Sequence, residues 1–162
     1  MQRHEYIEAL TQLKLSAMAE HWDDIVTDGI RRKRSTADIL ERLIQSELTH
    51  RRIRSIEYKI KTARFAQHKT LADFQFEQSI VNEEYIRMLL ENDYIEQKRN
   101  IVLIGGPGTG KSHLATALGI HAATEGFRVR YFNVLVLVNS LETDRDSGED
   151  KMAAQLSRSD VL

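Results

Sequence analysis

The 162 residues contain no cysteine and only one proline, Pro107. Without cysteine there is no disulfide framework and no thiolate-ligated metal site. The six histidines are scattered and show no ligand spacing. No apolar run approaches the roughly 20 residues of a membrane-spanning helix. The N-terminus lacks the apolar core of a signal peptide, so the expected compartment is the cytoplasm, with no membrane partner. Net charge is also nearly missing, at -1. There are no internal repeats and no low-complexity segments. What remains is 41% hydrophobic and 29% charged, enough for one medium domain or two small ones with a modest core.

The near-zero charge hides a segregation. Residues 31–69 carry 12 Lys and Arg against 4 Asp and Glu. Residues 1–30 carry 2 against 6, residues 70–100 carry 3 against 7, and residues 101–162 carry 6 against 7. One basic block is therefore flanked by acidic ones.

The lone proline lies in the most informative stretch. Ile101-Val102-Leu103-Ile104 reads as a buried parallel strand. It leads into Gly105-Gly106-Pro107-Gly108-Thr109-Gly110-Lys111-Ser112-His113, which contains the P-loop pattern Gly-x-x-x-x-Gly-Lys-Ser. A helix through Ala122 follows. Glycines let the backbone wrap closely around an anion with its N–H groups pointing inward, and the helix dipole adds positive potential there. In this chemistry Lys111 reaches the β- and γ-phosphates of ATP, and the Ser112 hydroxyl helps to hold Mg²⁺. Pro107 stiffens the turn. The bland alternative is a glycine-rich surface turn carrying a solvated lysine.

Before this loop the chain reads as helical. Met18, Trp22, Ile25, Val26 and Ile30 recur at three- and four-residue spacing, with Trp22 as a core anchor or else a stacking platform, and Gly29 as a helix end. Arg31-Arg32-Lys33-Arg34 follow. Ser35 and Asp38 resemble a capping box, and a long helix is expected from about Thr36 to about Ala66. Its apolar stripe breaks near His50–Arg52, so one helix or two remain open. Its other faces carry Arg51, Arg52, Arg54, Lys59 and Lys61. Such clustering attracts a phosphate backbone by counterion release, so Arg31–Arg34 with these five are candidate DNA contacts; a merely solvated face is the alternative.

Residues 67–79 lose the helical period, and Phe74 and Phe76 alternate as pinned aromatics of a linker. A helix over Asn82–Asn92 is expected, with Tyr85, Met88, Leu89 and Leu90 as its apolar side. Arg128–Phe132 alternates as a second strand. Asn133 can cap a short helix to Leu141, although Val134–Val138 also suits a strand. Residues 142–151 read as a loop, followed by one more helix start. The expected fold class is α/β: an all-helical N-terminal region over 1–69, a linker and helix over 70–100, and over 101–162 an incomplete P-loop NTPase parallel sheet with flanking helices.

In this order the features resemble the IstB-like transposition helper ATPases, which are related to DnaC-type helicase loaders within the AAA+ group. Four stretches carry the resemblance: Leu13-Lys14-Leu15-Ser16-Ala17-Met18-Ala19, Lys69-Thr70-Leu71-Ala72-Asp73-Phe74, Gly105 to Ala115, and Gly126-Phe127-Arg128-Val129-Arg130-Tyr131. It implies ATP binding by Gly105–Ser112, with Lys111 on the phosphates and Mg²⁺ on Ser112. It also implies DNA and the transposase of the same insertion element as partners, and a homo-oligomer when full length. In that family the stretch resembling Ser159-Asp160-Val161-Leu162 leads into a strand bearing the metal- and water-positioning carboxylates, whereas the present sequence stops at Leu162. The resemblance therefore implies a truncated or partial chain that binds ATP but hydrolyses it slowly. The alternatives are a non-catalytic nucleotide- and DNA-binding remnant and a DnaC-like helicase loader. An unrelated P-loop GTPase is disfavoured, because no Asn-Lys-x-Asp guanine motif occurs.

Overall fold

The computed structural model describes residues 2–148 and 150–162. The chain divides into two compact units, Met1–Ser55 and Ile56–Leu162.

The first unit holds α1 (Arg3–Gln12), α2 (Ser16–Glu20), α3 (Trp22–Arg31) and the part of α4 (Thr36–Ala63) up to Ser55. Lys14 and Lys33 end α1 and α3 in the left-handed region, at φ 58° and 53°. Most chains place glycine there. Gly29 is not a helix end: it is buried inside α3, and a Cβ on it would lie 2.5 Å from Ile39 Cγ1. It is the close-approach point between α3 and α4. The anticipated apolar face divides among the helices. Ala17, Met18 and Leu43 are buried, Trp22, Ile25 and Val26 are half-buried, and Ile30 is exposed. Trp22 stacks on Tyr6 with ring centroids 5.0 Å apart, which makes it a packing residue. The Ser35–Asp38 capping box opens α4, with Ser35 N–H donating to Asp38 at 3.2 Å and Asp38 N–H to Ser35 Oγ at 3.1 Å. The helix then runs unbroken through His50–Arg52.

The second unit begins in the last turns of α4. Two 3-10 turns (Leu71–Asp73 and Phe76–Gln78) follow, then α5 (Glu83–Leu89), α6 (Asp93–Glu96), α7 (Lys111–Glu125), α8 (Val134–Ser147) and α9 (Lys151–Leu156). The inward side of α5 is Ile86, Leu89 and Leu90, while Tyr85 and Met88 are exposed. α7 buries much of its middle, from Leu114 through Ala123, while its ends carry the polar residues Lys111, Ser112 and Glu125. One side of the core joins Leu114, Leu118 and Ile86 to Leu71, Phe74, Phe76, Ile101 and Leu103. The other joins Ala122, Ala123, Ala63 and Val129 to Ile60, Phe65, Phe127 and Val161. Asn133 caps α8 by accepting from Leu135 N–H at 3.0 Å, and α8 extends to Ser147, through most of the stretch read as a loop.

The expected parallel sheet is absent. Among the described residues no strand forms, and the ladder pairing amounts to an isolated parallel bridge between Val129 and Val161. A strand requires neighbours that accept and donate along its length. Ile101–Ile104 alternates as a strand should, with Ile101 and Leu103 inward and Val102 and Ile104 75% and 91% exposed. Among the described residues, no second extended segment hydrogen-bonds to its backbone. Arg128–Tyr131 has only fragments of a ladder. Asp160 N–H donates to Arg128 O at 2.7 Å, Arg130 N–H to Val161 O at 2.9 Å, and Tyr131 N–H turns to the helical carbonyl of Ala63 at 2.8 Å. Period-two patterning gives an inward face, but pairing has to come from elsewhere.

Candidate functional site

The candidate loop joins the extended Ile101–Ile104 run to the first turn of α7. Gly108 and Gly110 adopt φ 77° and 83°, the left-handed region that a Cβ disfavours. At Gly110 there is a second reason for glycine: an added Cβ would lie 2.6 Å from Phe74 Cε2. Gly105 is snug against Thr109, whose Oγ1 would be 3.0 Å from a Cβ, whereas Gly106 and Gly108 are open on that side. Thr109 Oγ1 donates to the Gly106 carbonyl at 2.9 Å, tying the loop across its waist.

The donors are the feature with chemical consequence. Among the described residues, no backbone N–H from Gly105 to His113 donates a hydrogen bond, Pro107 having none to give. The first main-chain bond into the helix is Leu114 N–H to Gly110 O at 2.9 Å. Gly105–Thr109 and Ser112 are exposed, while Gly110, Lys111 and His113 are half-buried, so most of the run lies at the surface. They stand at the start of a helix of 15 residues, where the macrodipole favours negative charge. Lys111 belongs to the same first turn. Its Nζ donates to the Gly106 carbonyl and, at 3.3 Å, to Thr109 Oγ1, which holds the cation over the loop. A phosphate placed there meets amides and an ammonium together. Ser112 offers an exposed hydroxyl one residue later, an oxygen donor that would suit a hard cation.

A neighbouring segment closes one side, and the sequence reading missed how. His113 Nε2 lies 2.8 Å from the Thr70 carbonyl, and its ring meets Phe74 edge-on, centroids 5.2 Å apart. Thr70 is itself fixed: its N–H and Oγ1 donate to Asp73 at 2.9 and 2.7 Å. The Thr70 hydroxyl and amide hold the Asp73 carboxyl below the usual carboxylate range, with a smaller contribution from the nearby His113. Thr70-x-x-Asp73 is a capping-box pattern, so the signal was legible in the sequence.

The basic residues are arranged differently. Arg31 and Arg32 reach Asp28 at 3.0 and 2.7 Å, and Arg42 joins them at 3.1 Å. Bonds from Arg31, then Arg42 and Arg32, overcome partial desolvation and lower the Asp28 carboxyl to about 2. Lys33 occupies the left-handed position that ends α3, and Arg34 follows it, exposed. Arg51 donates at 2.8 Å to Glu47 and at 3.3 Å to the Lys14 carbonyl. Glu47 is only 5% exposed and also accepts from Ala17 and Met18 N–H, at 2.9 and 3.4 Å. Burial pushes its carboxyl up, but Arg51 and the two amides outweigh that and hold it below the ordinary range. Arg52, Arg54 and Lys61 are exposed and make no ion pair among the described residues. Lys59 donates to the Gly126 carbonyl at 2.6 Å, a helix C-cap role. The loop residues thus come together as one site. The basic residues are spread along two helices and the connection between them, several of them bound to the chain's own acceptors.

Comparison with known proteins supplies independent findings. A family model described as IstB-like ATP binding protein matches residues 8–162. The ATP-binding protein of insertion sequence IS5376 from Geobacillus stearothermophilus is 34% identical over 147 residues, covering 90% of this chain and 57% of the relative. That of IS21 from Pseudomonas aeruginosa is 30% identical over 161 residues, covering 98% and 61%. That of IS232 from Bacillus thuringiensis subsp. berliner is 32% identical over 148 residues, covering 91% and 58%. The chain therefore spans about three-fifths of the length of these curated relatives.

Proposed function

This chain belongs to the family of IstB-like ATP binding proteins, and from that premise we propose that it binds ATP through Gly105–His113 as a helper of DNA transposition. The observation that carries the reading is the run of unpaired N–H groups from Gly105 to His113, set beside Lys111 at a helix start. Such donors cost nothing while solvated and gain charge-assisted bonds when a phosphate arrives. The geometry asks for a polyanion with closely spaced oxygens, which a nucleoside triphosphate provides.

In this reading the chain's residues divide the task. The amides of Gly106 to Ser112 orient the β- and γ-phosphates. Lys111 leaves the Gly106 carbonyl and neutralises charge on those oxygens. Ser112 is the protein ligand to Mg²⁺, which would offset phosphate charge and fix the geometry of the triphosphate. The names of the relatives tie them to insertion sequences, which makes the transposase of the same element and DNA the partners proposed here. On the DNA side, Lys33, Arg34, Arg52, Arg54 and Lys61 are the proposed phosphate contacts, because among the described residues no carboxylate pairs with their cations.

Calorimetric titration of the purified chain with ATP and Mg²⁺ tests the nucleotide reading. Saturable binding is expected in the wild type, and Lys111→Ala should weaken it at least tenfold, because charge-assisted bonds to phosphate are lost. Equal affinity in the two proteins would remove Lys111 from the site.

A further inference from the structure

We propose that His113 is a positioning residue that fastens the Thr70–Phe76 segment to the phosphate loop, so that filling the loop with nucleotide and docking the segment are coupled. The proposal rests on the nucleotide reading above and names a regulation of that same site.

Three observations converge on one residue. The main chain of His113 lies in the first turn of α7, and its N–H belongs to the run that donates no hydrogen bond among the described residues. Its side chain reaches the Thr70 carbonyl at 2.8 Å and the edge of Phe74. Phe74 in turn occupies the space beside Gly110 that a Cβ would need, at the left-handed residue that shapes the loop. One residue therefore joins the anion side of the turn to the segment side, and Phe74 closes the circuit back to the loop.

The Thr70 end is built to receive this contact. The Thr70 N–H and hydroxyl are committed to Asp73, and its carbonyl also accepts from Asp73 N–H at 3.3 Å. The carbonyl is held in one direction and can only accept. Nε2 of His113 must therefore carry the hydrogen, whether or not the ring is charged. The segment has its own apolar anchorage, with Leu71, Phe74 and Phe76 packed on Ile86, Leu114 and Leu118. Phe74 and Phe76 meet edge-on, 4.8 Å apart. The polar tie adds to that anchorage and lands on His113, a member of the loop's own amide run. By linkage, a ligand that orders residues 105–113 must stabilise the docked segment by the same factor that docking tightens the ligand.

Hydrogen exchange of the full chain, with and without ATP and Mg²⁺, reads both ends of the coupling. In the wild type, ATP should slow exchange at residues 105–113 and also at 70–78. His113→Gln keeps an N–H donor within reach of the carbonyl and should retain the ATP-dependent slowing at 70–78. His113→Leu keeps bulk without the donor. It should bind ATP roughly fivefold more weakly, the scale of one hydrogen bond, and keep slowing at 105–113 while losing it at 70–78. The proposal is overturned if ATP slows 105–113 but never 70–78 in the wild type, or if His113→Leu retains the wild-type response at 70–78. No ATP effect at 105–113 in the wild type would overturn the nucleotide reading itself, and this proposal with it. Should His113→Leu fail to fold, His113→Phe, which also lacks the donor, takes its place with the same expected and overturning outcomes.

Discussion

The glycine loop at 105–113 and the basic stretch at 31–61 look equally suggestive in sequence, and they differ in what their donors already hold. Along the loop, the amides donate no hydrogen bond among the described residues. Along the basic stretch, Arg31 and Arg32 are held by Asp28, Arg51 by Glu47, and Lys59 by a carbonyl. A row of accessible, unsatisfied donors is a commitment to an outside acceptor. A row of cations is not, because nearby carboxylates can discharge it. Counting charges along the chain therefore overstates the second feature and understates the first.

That contrast can be broken most forcefully at the loop. Gly110→Ala should lower ATP affinity at least tenfold. The new Cβ meets the Phe74 ring and forces a φ that costs about 1–2 kcal/mol for an L-residue, so the amides lose their shared direction. Unchanged ATP affinity would mean that the loop's shape is unimportant.

Next come the arginines of α4, where neighbours should behave differently. Arg51→Gln leaves the buried Glu47 carboxylate without its cation and should destabilise the fold by about 1–3 kcal/mol in urea unfolding, with little effect on DNA affinity. Arg52→Gln with Arg54→Gln should leave stability within about 0.5 kcal/mol. It should weaken DNA binding several-fold and flatten its salt dependence. The reverse pattern would mean that the ion pairs do not sort structural cations from available ones.

A smaller effect is expected at Asp28. Asp28→Asn releases Arg31, Arg32 and Arg42, so DNA affinity should rise a few-fold at low salt, with a steeper slope of log affinity against log salt. Smallest is the acid response of the same group. Its folded pKa of about 2 lies below the unfolded value of about 3.9, so its contribution is complete above pH 4 and fades as pH falls towards 2. The gap in unfolding midpoint between wild type and Asp28→Asn should therefore narrow over that interval; a gap as wide at pH 2 as at neutral pH would contradict the assignment.

What was legible in the sequence follows from how local each signal is. The Ser35–Asp38 box, the Asn133 cap and the helix start after the glycine loop are written in a few adjacent residues, and all three take the expected local form. The helix ends were harder, because Lys14, Lys33, Arg64 and Lys98 take the left-handed positions where glycine is sought. Gly29, taken for an end, is a packing residue against Ile39. The sheet failed for a different reason. Alternation at Ile101–Ile104 and Arg128–Phe132 is local, whereas pairing is not, and the described residues supply one bridge. The contact from His113 to Thr70 spans 43 positions, so it too lay beyond any local pattern, although the Thr70–Asp73 box that aims the carbonyl did not.

The most direct test of the central claim is the backbone amide spectrum of the wild-type chain, titrated with ATP and Mg²⁺. Saturable shifts concentrated at Gly105–His113, and lost in Lys111→Ala, are expected. Shifts that fall elsewhere, or a spectrum unmoved at millimolar ATP, would contradict the claim that these open amides are a phosphate site.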